Sequence, residues 1–310
     1  MPSDRPVKVI IDTDIGDDVD DALAIAFAML RPELDVRAIT TVYGPARKRV
    51  QLLARFVGVI AQAKGIDPDR LPLLAMGESL PLTRFPPERT SELIRRTPNQ
   101  YPFAEMGGPA ALIQGLTAIE VFEKVINENA RDIALVTIGP MTNAAKLVQT
   151  RDDLARKLRL ISIMGGSYQP GFAEYNIACD PVAAKAVFRS PVATAQFSCE
   201  VTNRVVMRDK EMTELRAAKN PIAQALCQLI NLWWPHKGST PGPVIYDMSP
   251  LLWLFQPEIY AVEKRGVDVV TEFGPNLGRT VPAFGSMTSV ATDIDAGAAM
   301  RLFIDTVCNG

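Results

Sequence analysis

The chain carries four cysteines, a single histidine, no run of basic residues and no apolar stretch of membrane-spanning length. Each shortage excludes something. Cys179, Cys199, Cys227 and Cys308 show no paired spacing, which argues against a disulfide framework and a zinc site and leaves them as expected buried thiols. A formal net charge of −2 without a basic cluster argues against nucleic acid or an anionic membrane as the main partner. No segment reaches the ~18 apolar residues a membrane span needs. Met1-Pro2-Ser3-Asp4-Arg5-Pro6 leads into the first apolar run without a signal-like stretch, so a cytoplasmic location is expected.

Core-forming residues and acids are what the chain has in quantity. Of its 310 residues 47% are hydrophobic, enough for a sizeable core. Apolar runs alternate with helix-period stretches, the pattern of an α/β fold with a mixed, mainly parallel sheet flanked by helices. Strands are expected over 7–11, 36–41, 71–74, 133–138, 158–164 and 193–197. Helices are expected over 19–30, 46–63, 110–128, 141–149, 181–188, 222–234, 250–255 and 295–307. There is no internal repeat, and a single domain over 1–310 is expected. Segment 81–109, with Pro86, Pro87, Pro98 and Pro102 among charged residues, is long for a structureless loop and is expected to hold a short helix or cover a site.

Six of the ten residues from Asp12 to Asp21 are aspartates, directly after the apolar run Val7-Lys8-Val9-Ile10-Ile11. The acids thus sit where a buried strand ends, which is where open α/β sheets bind ligands. Six carboxylates so close repel one another unless a cation neutralises them, and hard oxygen ligands suit Ca²⁺ or Mg²⁺ better than Zn²⁺. A helix cap and first turn explain one or two of the six. They do not explain Asp12 and Asp14, which precede the turn at Gly16.

Other strand ends also carry polar or glycine-rich phrases. Ile138-Gly139-Pro140-Met141-Thr142-Asn143 reads as a strand-to-helix turn in which Gly139 admits close backbone approach and Pro140 suits a first helical position. Met164-Gly165-Gly166 ends a strand and precedes Glu174-Tyr175-Asn176-Ile177-Ala178-Cys179-Asp180-Pro181. There Glu174 and Asn176 suit sugar hydroxyls, while Asp180-Pro181 reads equally as a helix cap.

These phrases, with Thr40-Thr41-Val42-Tyr43-Gly44 and Tyr246-Asp247, stand in an order that resembles the inosine/uridine-preferring nucleoside hydrolase family along nearly the whole chain. The resemblance implies an N-glycosidase that cleaves small-molecule ribonucleosides to ribose and free nucleobase, assembled as a homodimer or homotetramer. It implies a Ca²⁺ held by Asp14, Asp21, the carbonyl of Ile138 and Asp247, with Asp14 also the general base on a metal-bound water. On the substrate side it implies Asp20 and Asn176 on ribose hydroxyls, Glu174 near the 5′-hydroxyl and Met164 lining the pocket.

The chain departs from the family pattern at three places. Asp17-Asp18-Val19 stands where the usual signature has one residue, so the parts played by Asp17 and Asp18 are open. Pro45 replaces a usual asparagine. Tyr246 stands where inosine/uridine-type members carry a histidine; its phenol suits stacking or wall packing better than proton donation at neutral pH. Trp233 and Trp234 are further candidates for stacking on the base, and His236 reads either as an acid for the leaving base or as a helix C-terminal histidine that interacts with the dipole. Two other readings stay open: a nucleoside or ribose binder without turnover, and an aspartate-nucleophile phosphatase suggested by Asp12-Thr13-Asp14, which Gly16 contradicts.

Overall fold

Alternating side chains of the central strands feed two cores, and this alternation sets the layers. In the computed structural model, which describes residues 5–309, strand β1 (Val7–Thr13) turns Val7, Val9 and Ile11 to one side and Ile10 to the other. The first side packs on helices α1 (Asp20–Leu30) and α2 (Ala46–Lys64), together with helices Pro221–Trp233 and Ala296–Asn309. The second packs on helices Ala118–Glu128, Thr142–Thr150 and Pro181–Phe188. A strand covered on both faces is apolar throughout, which is why 7–11 reads so clearly. Residues Met1 to Asp4 of the expected lead into that strand lie outside the described residues.

The sheet continues with β2 (Leu34–Thr41), β3 (Leu73–Met76), β4 (Ile113–Thr117), β5 (Ile133–Thr137), β6 (Leu160–Met164), β7 (Thr194–Phe197), β8 (Tyr260–Val269) and β9 (Thr280–Ile294). Its order is β4-β3-β2-β1-β5-β6-β7-β9-β8, parallel except for the β8–β9 pair. The chain runs outward from β1 to β4, then restarts on the other side of β1 with β5. The carboxyl ends of β1 and β5 therefore flank a topological switch point, the crevice where such sheets bind ligands. Asp12 pairs in register with Thr40 on one side and Thr137 on the other, which puts the acid-rich turn at that crevice.

Several expected elements shift. The helix expected over 110–128 starts at Ala118; the residues before it form the edge strand β4, exposed along most of its length. Thr117 and Glu120 make a reciprocal capping box that fixes this start. The helix expected over 250–255 is the short Ser249–Leu252. The hairpin β8–β9 and helix Asp209–Ala217 carry no expectation above. Of the cysteines, Cys179 and Cys199 are buried, but Cys227 and Cys308 are only partly so. Segment 81–109 does hold helices, α3 (Pro87–Arg95) and α4 (Pro102–Glu105). Among the described residues no helix is long and apolar enough to cross a membrane.

Candidate active site

The last two residues of β1 and the one that follows it point to three different tasks. Asp12 is fully buried, and its Oδ1 accepts from the Thr40 hydroxyl (2.6 Å) and from Asn143 Nδ2 (2.8 Å). Burial pushes its carboxyl up to about 7, against the two hydrogen bonds that lower it. The Thr13 hydroxyl donates to Asp21 and accepts from the Ile15 amide at 3.1 Å, tying the strand end to the start of α1. Asp14 lines a cavity of about 420 Å³. Its carboxyl is also raised to about 7 by burial, with Arg49 opposing and Asp17 adding to the shift.

The turn that follows is braced from beneath by Arg49, a fully buried arginine on α2. Its Nε donates to the Tyr43 carbonyl (2.9 Å), Nη1 to the carbonyls of Asp14 and Ile15 (3.0 Å for the latter), and Nη2 to Asp17 Oδ2 (2.7 Å). Asp17 Oδ1 meets Arg96 Nη2 at 2.6 Å. The segment after α3 is bonded to the same turn: Gln100 N donates to the Gly16 carbonyl (2.9 Å), Asn99 Nδ2 to that of Asp17 (3.3 Å), and the Gln100 side chain to that of Asp18. Gly16 has φ +125°, and a Cβ there would lie 2.7 Å from Pro98. Asp17 is thus a brace between two arginines, while Asp18 binds the Val19 amide (2.7 Å) and lines the cavity.

Asp20 and Asp21 open α1 but do not serve it as solvated capping acids. Both are buried, and oxygens of Asp20, Asp21 and Asp247 lie within 4.8 Å of one another. Asp247 comes from the short turn Tyr246–Met248, which packs against α1. Burial, followed by repulsion from neighbouring carboxylates (Asp18 on Asp20, Asp14 on Asp21, Asp20 on Asp247), drives all three carboxyls well above the usual range. The group is all oxygen, close-set and buried, so a hard divalent cation relieves the strain of ionising it, and zinc would be poorly matched.

The opposite wall is polar and fixed. A Cβ at Gly139 would lie 2.7 Å from Asp14 Oδ1, so glycine alone lets the turn after β5 approach the acid. Asn176 Nδ2 donates to the carbonyls of Ile138 and Met164, both at 3.3 Å. Glu174 accepts from the amides of Asn176 (2.8 Å), Gly166 (2.9 Å) and Ile177 (3.1 Å), which locks its carboxylate while it faces the cavity. Asp180 caps helix Pro181–Phe188 and binds the Leu82 and Thr83 amides, so the capping reading accounts for it.

The cavity brings together Asp14, Asp20, Asp21, Ile138, Met164, Glu174, Asn176, Trp233, His236, Tyr246 and Asp247. It leaves out Trp234, whose ring packs edge-on against Trp233 (5.9 Å between centroids) and lies near the Lys237 ammonium. Asp12, sealed beneath Thr40 and Asn143, is likewise absent from the lining, which removes it as a phosphatase-type nucleophile. Arg96, Asn99, Phe172, Tyr175, Cys199 and Asn203 line the cavity without having been singled out from sequence. For Arg96 and Asn99 the available signal was the proline-rich segment they belong to.

In protein freed of metal, ionising Asp12 and Asp14 costs stability, because their folded-state values of about 7 lie above the ordinary 3.8. The folded state then binds more protons than the unfolded state between roughly pH 4 and 7, so stability falls as pH rises through that window. Chelated protein is expected to unfold at lower denaturant at pH 8 than at pH 5.5, with the difference shrinking when a divalent cation is restored. Equal midpoints at both pH values in the chelated protein would contradict this.

The fold and this site define an α/β protein built to hold a small polar ligand over buried carboxylates. The family model for inosine-uridine preferring nucleoside hydrolase matches residues 9–301, and the chain belongs to that family. A pyrimidine-specific ribonucleoside hydrolase, RihA of Escherichia coli O9:H4 (strain HS), is 30% identical over 96% of this chain and 97% of its own length. RihA of Salmonella typhimurium is 31% identical over 93% of this chain and 94% of its own. A solved plant nucleoside hydrolase has the same fold at a TM-score of 0.83 and 22% identity, covering 98% of this chain and all 100% of its own. An inosine-guanosine nucleoside hydrolase does so at 0.80 and 23%, covering 97% and 98%.

Proposed function

We propose that this protein hydrolyses the N-glycosidic bond of ribonucleosides to ribose and free base, with Ca²⁺ as its cofactor. The observation that carries the reading is the buried carboxylate group at the switch point, on the floor of a cavity of nucleoside size. Asp21 and Asp247 of that group, with Asp14 and the Ile138 carbonyl from outside it, are assigned to the ion, while its third member Asp20 is assigned with Asn176 to ribose hydroxyls and Glu174 to the 5′ side. When bound, the ion neutralises the acids, anchors ribose hydroxyls and polarises the attacking water.

Asp14 takes the proton of the water as its oxygen attacks the anomeric carbon. The negative field of the floor favours the positive charge that develops on the ring as the glycosidic bond lengthens. Glu174 contributes as a fixed acceptor, since three amides hold its carboxylate in place. Burial pushes the Tyr246 phenol above its ordinary range, so it keeps its proton and offers the base a ring face beside Trp233.

Asp247→Ala is expected to raise the Ca²⁺ concentration for half-maximal activity by at least about tenfold, since even indirect partners of a ligand cost about 10–100-fold in metal affinity. A Ca²⁺ titration of ribose release checks it. An unchanged midpoint would remove Asp247 from the ligand set.

A further inference from the structure

The chain after β7 runs alongside the turn that carries Tyr246. Val206 bridges Val244 in antiparallel register, Ile245 N donates to the Val205 carbonyl and Met207 N to the Pro243 carbonyl, both at 2.8 Å. Continued by one or two residues, this register sets Asn203 and Arg204 beside Tyr246 and Asp247. Arg204 pairs with the exposed Asp293 on the outer surface, whereas Asn203 lines the cavity together with Tyr246. Asn203 N also donates to the carbonyl of Cys199 at 3.0 Å, one helical turn back, and Cys199 lines the same cavity.

Above the acid floor most polar side chains of the cavity are already committed. Asp18 holds the Val19 amide, Arg96 pairs with Asp17, and Asn99 donates to the Asp17 carbonyl. Asn203 and His236 differ from these. Both are exposed, and neither side chain has a hydrogen bond or ion pair among the described residues. Their chemistry separates them. An amide presents a donor and an acceptor side by side in one plane, which matches an adjacent N–H and carbonyl on a base, as asparagine does with base edges in nucleic-acid recognition. The two nitrogens of a neutral imidazole point away from each other and cannot make that paired contact.

We propose that Asn203 is the residue that selects the base, pairing its amide with an adjacent ring N–H and carbonyl while Tyr246 and Trp233 hold the face of the ring. This rests on the hydrolase reading above, which sets the base on those two aromatic side chains. The Asn203 carbonyl accepts from the ring N–H, and its NH₂ group donates to the neighbouring ring carbonyl. The substrates it favours are ribonucleosides of oxo bases, with uracil offering N3–H and hypoxanthine N1–H. A base without that pair leaves the amide unmatched in a site that has excluded water, and is rejected for that reason. The contact is made to bound substrate and transition state alike, so its loss falls on KM more than on kcat.

The test compares uridine with 3-methyluridine, whose methyl group takes the place of the N3 proton. Wild-type protein is expected to prefer uridine in kcat/KM by about 10²-fold or more. Asn203→Leu, of similar volume but apolar, should lower kcat/KM on uridine by about 10–100-fold, mostly through KM. The preference for uridine over 3-methyluridine should then shrink by at least about tenfold, a ratio that does not depend on how much of the variant is folded. Asn203 is exposed, so Asn203→Ala serves as a second folded variant and should shrink the ratio likewise. A wild type that does not discriminate, or a preference that survives in both variants, would overturn the assignment. So would a ratio that collapses in His236→Ala and not at Asn203. Wild-type protein that releases ribose from neither uridine nor inosine nor p-nitrophenyl β-ribofuranoside would instead bring down the hydrolase reading, so the two failures are told apart.

Discussion

Asp14→Ala is expected to lower ribose release by about 10²–10⁴-fold, the range of a positioned general base, measured at saturating Ca²⁺ so that weakened metal binding does not enter. The protein should remain folded. Asp14 packs against the Gly139 turn, but its ionised form is held at a cost, as its shift to about 7 shows. Removing it relieves repulsion with Asp17 and Asp21. Metal-free Asp14→Ala should therefore match or exceed the wild type in urea at pH 8. A variant with wild-type turnover would take Asp14 out of the base role. One that is inactive because it is unfolded would show that the carboxylate holds the turn together.

The second large effect is on stability. Arg49→Leu fills similar apolar volume but leaves Asp17 without its buried partner and three carbonyls without a donor. Breaking one side of a buried pair costs about 3–5 kcal/mol, and a loss of that size is expected in urea unfolding. Arg49→Lys should recover only part of it, because an ammonium cannot reproduce the fork that reaches Tyr43, Asp14 and Asp17 together. An unchanged unfolding midpoint in Arg49→Leu would mean that the turn is held by its own contacts and by the 98–100 segment.

That arginine also shows where sequence reasoning runs out. In Arg47-Lys48-Arg49 it looks like one more charge on a solvated helix face, and only the packing of α2 against the β1 turn turns it inward. The same holds for Asp17, whose place in the insertion was legible while its partners, 32 and 79 residues away, were not. Residues 7–11 and the alternating central strands were readable because both their faces are buried, so hydrophobicity tracks structure. Strands β4 and β8 were not, because exposure along most of β4 and half of β8 removes that signal and leaves runs such as Glu263-Lys264-Arg265. The acids after β1 stood out since six aspartates at a strand end have few uses other than holding a cation. The tight grouping of Asp20 with Asp21 and Asp247 depends on bringing Tyr246–Met248 against α1, a contact spanning more than two hundred residues.

The central claim is that the buried carboxylate floor serves Ca²⁺-dependent cleavage of ribonucleosides. It is tested most directly by ribose release from a panel of purine and pyrimidine ribonucleosides, with Ca²⁺ present and after chelation. The account predicts release that disappears on chelation and returns when Ca²⁺ is restored. No release from any member of the panel, by protein shown to bind Ca²⁺, would contradict it and leave a nucleoside binder in its place.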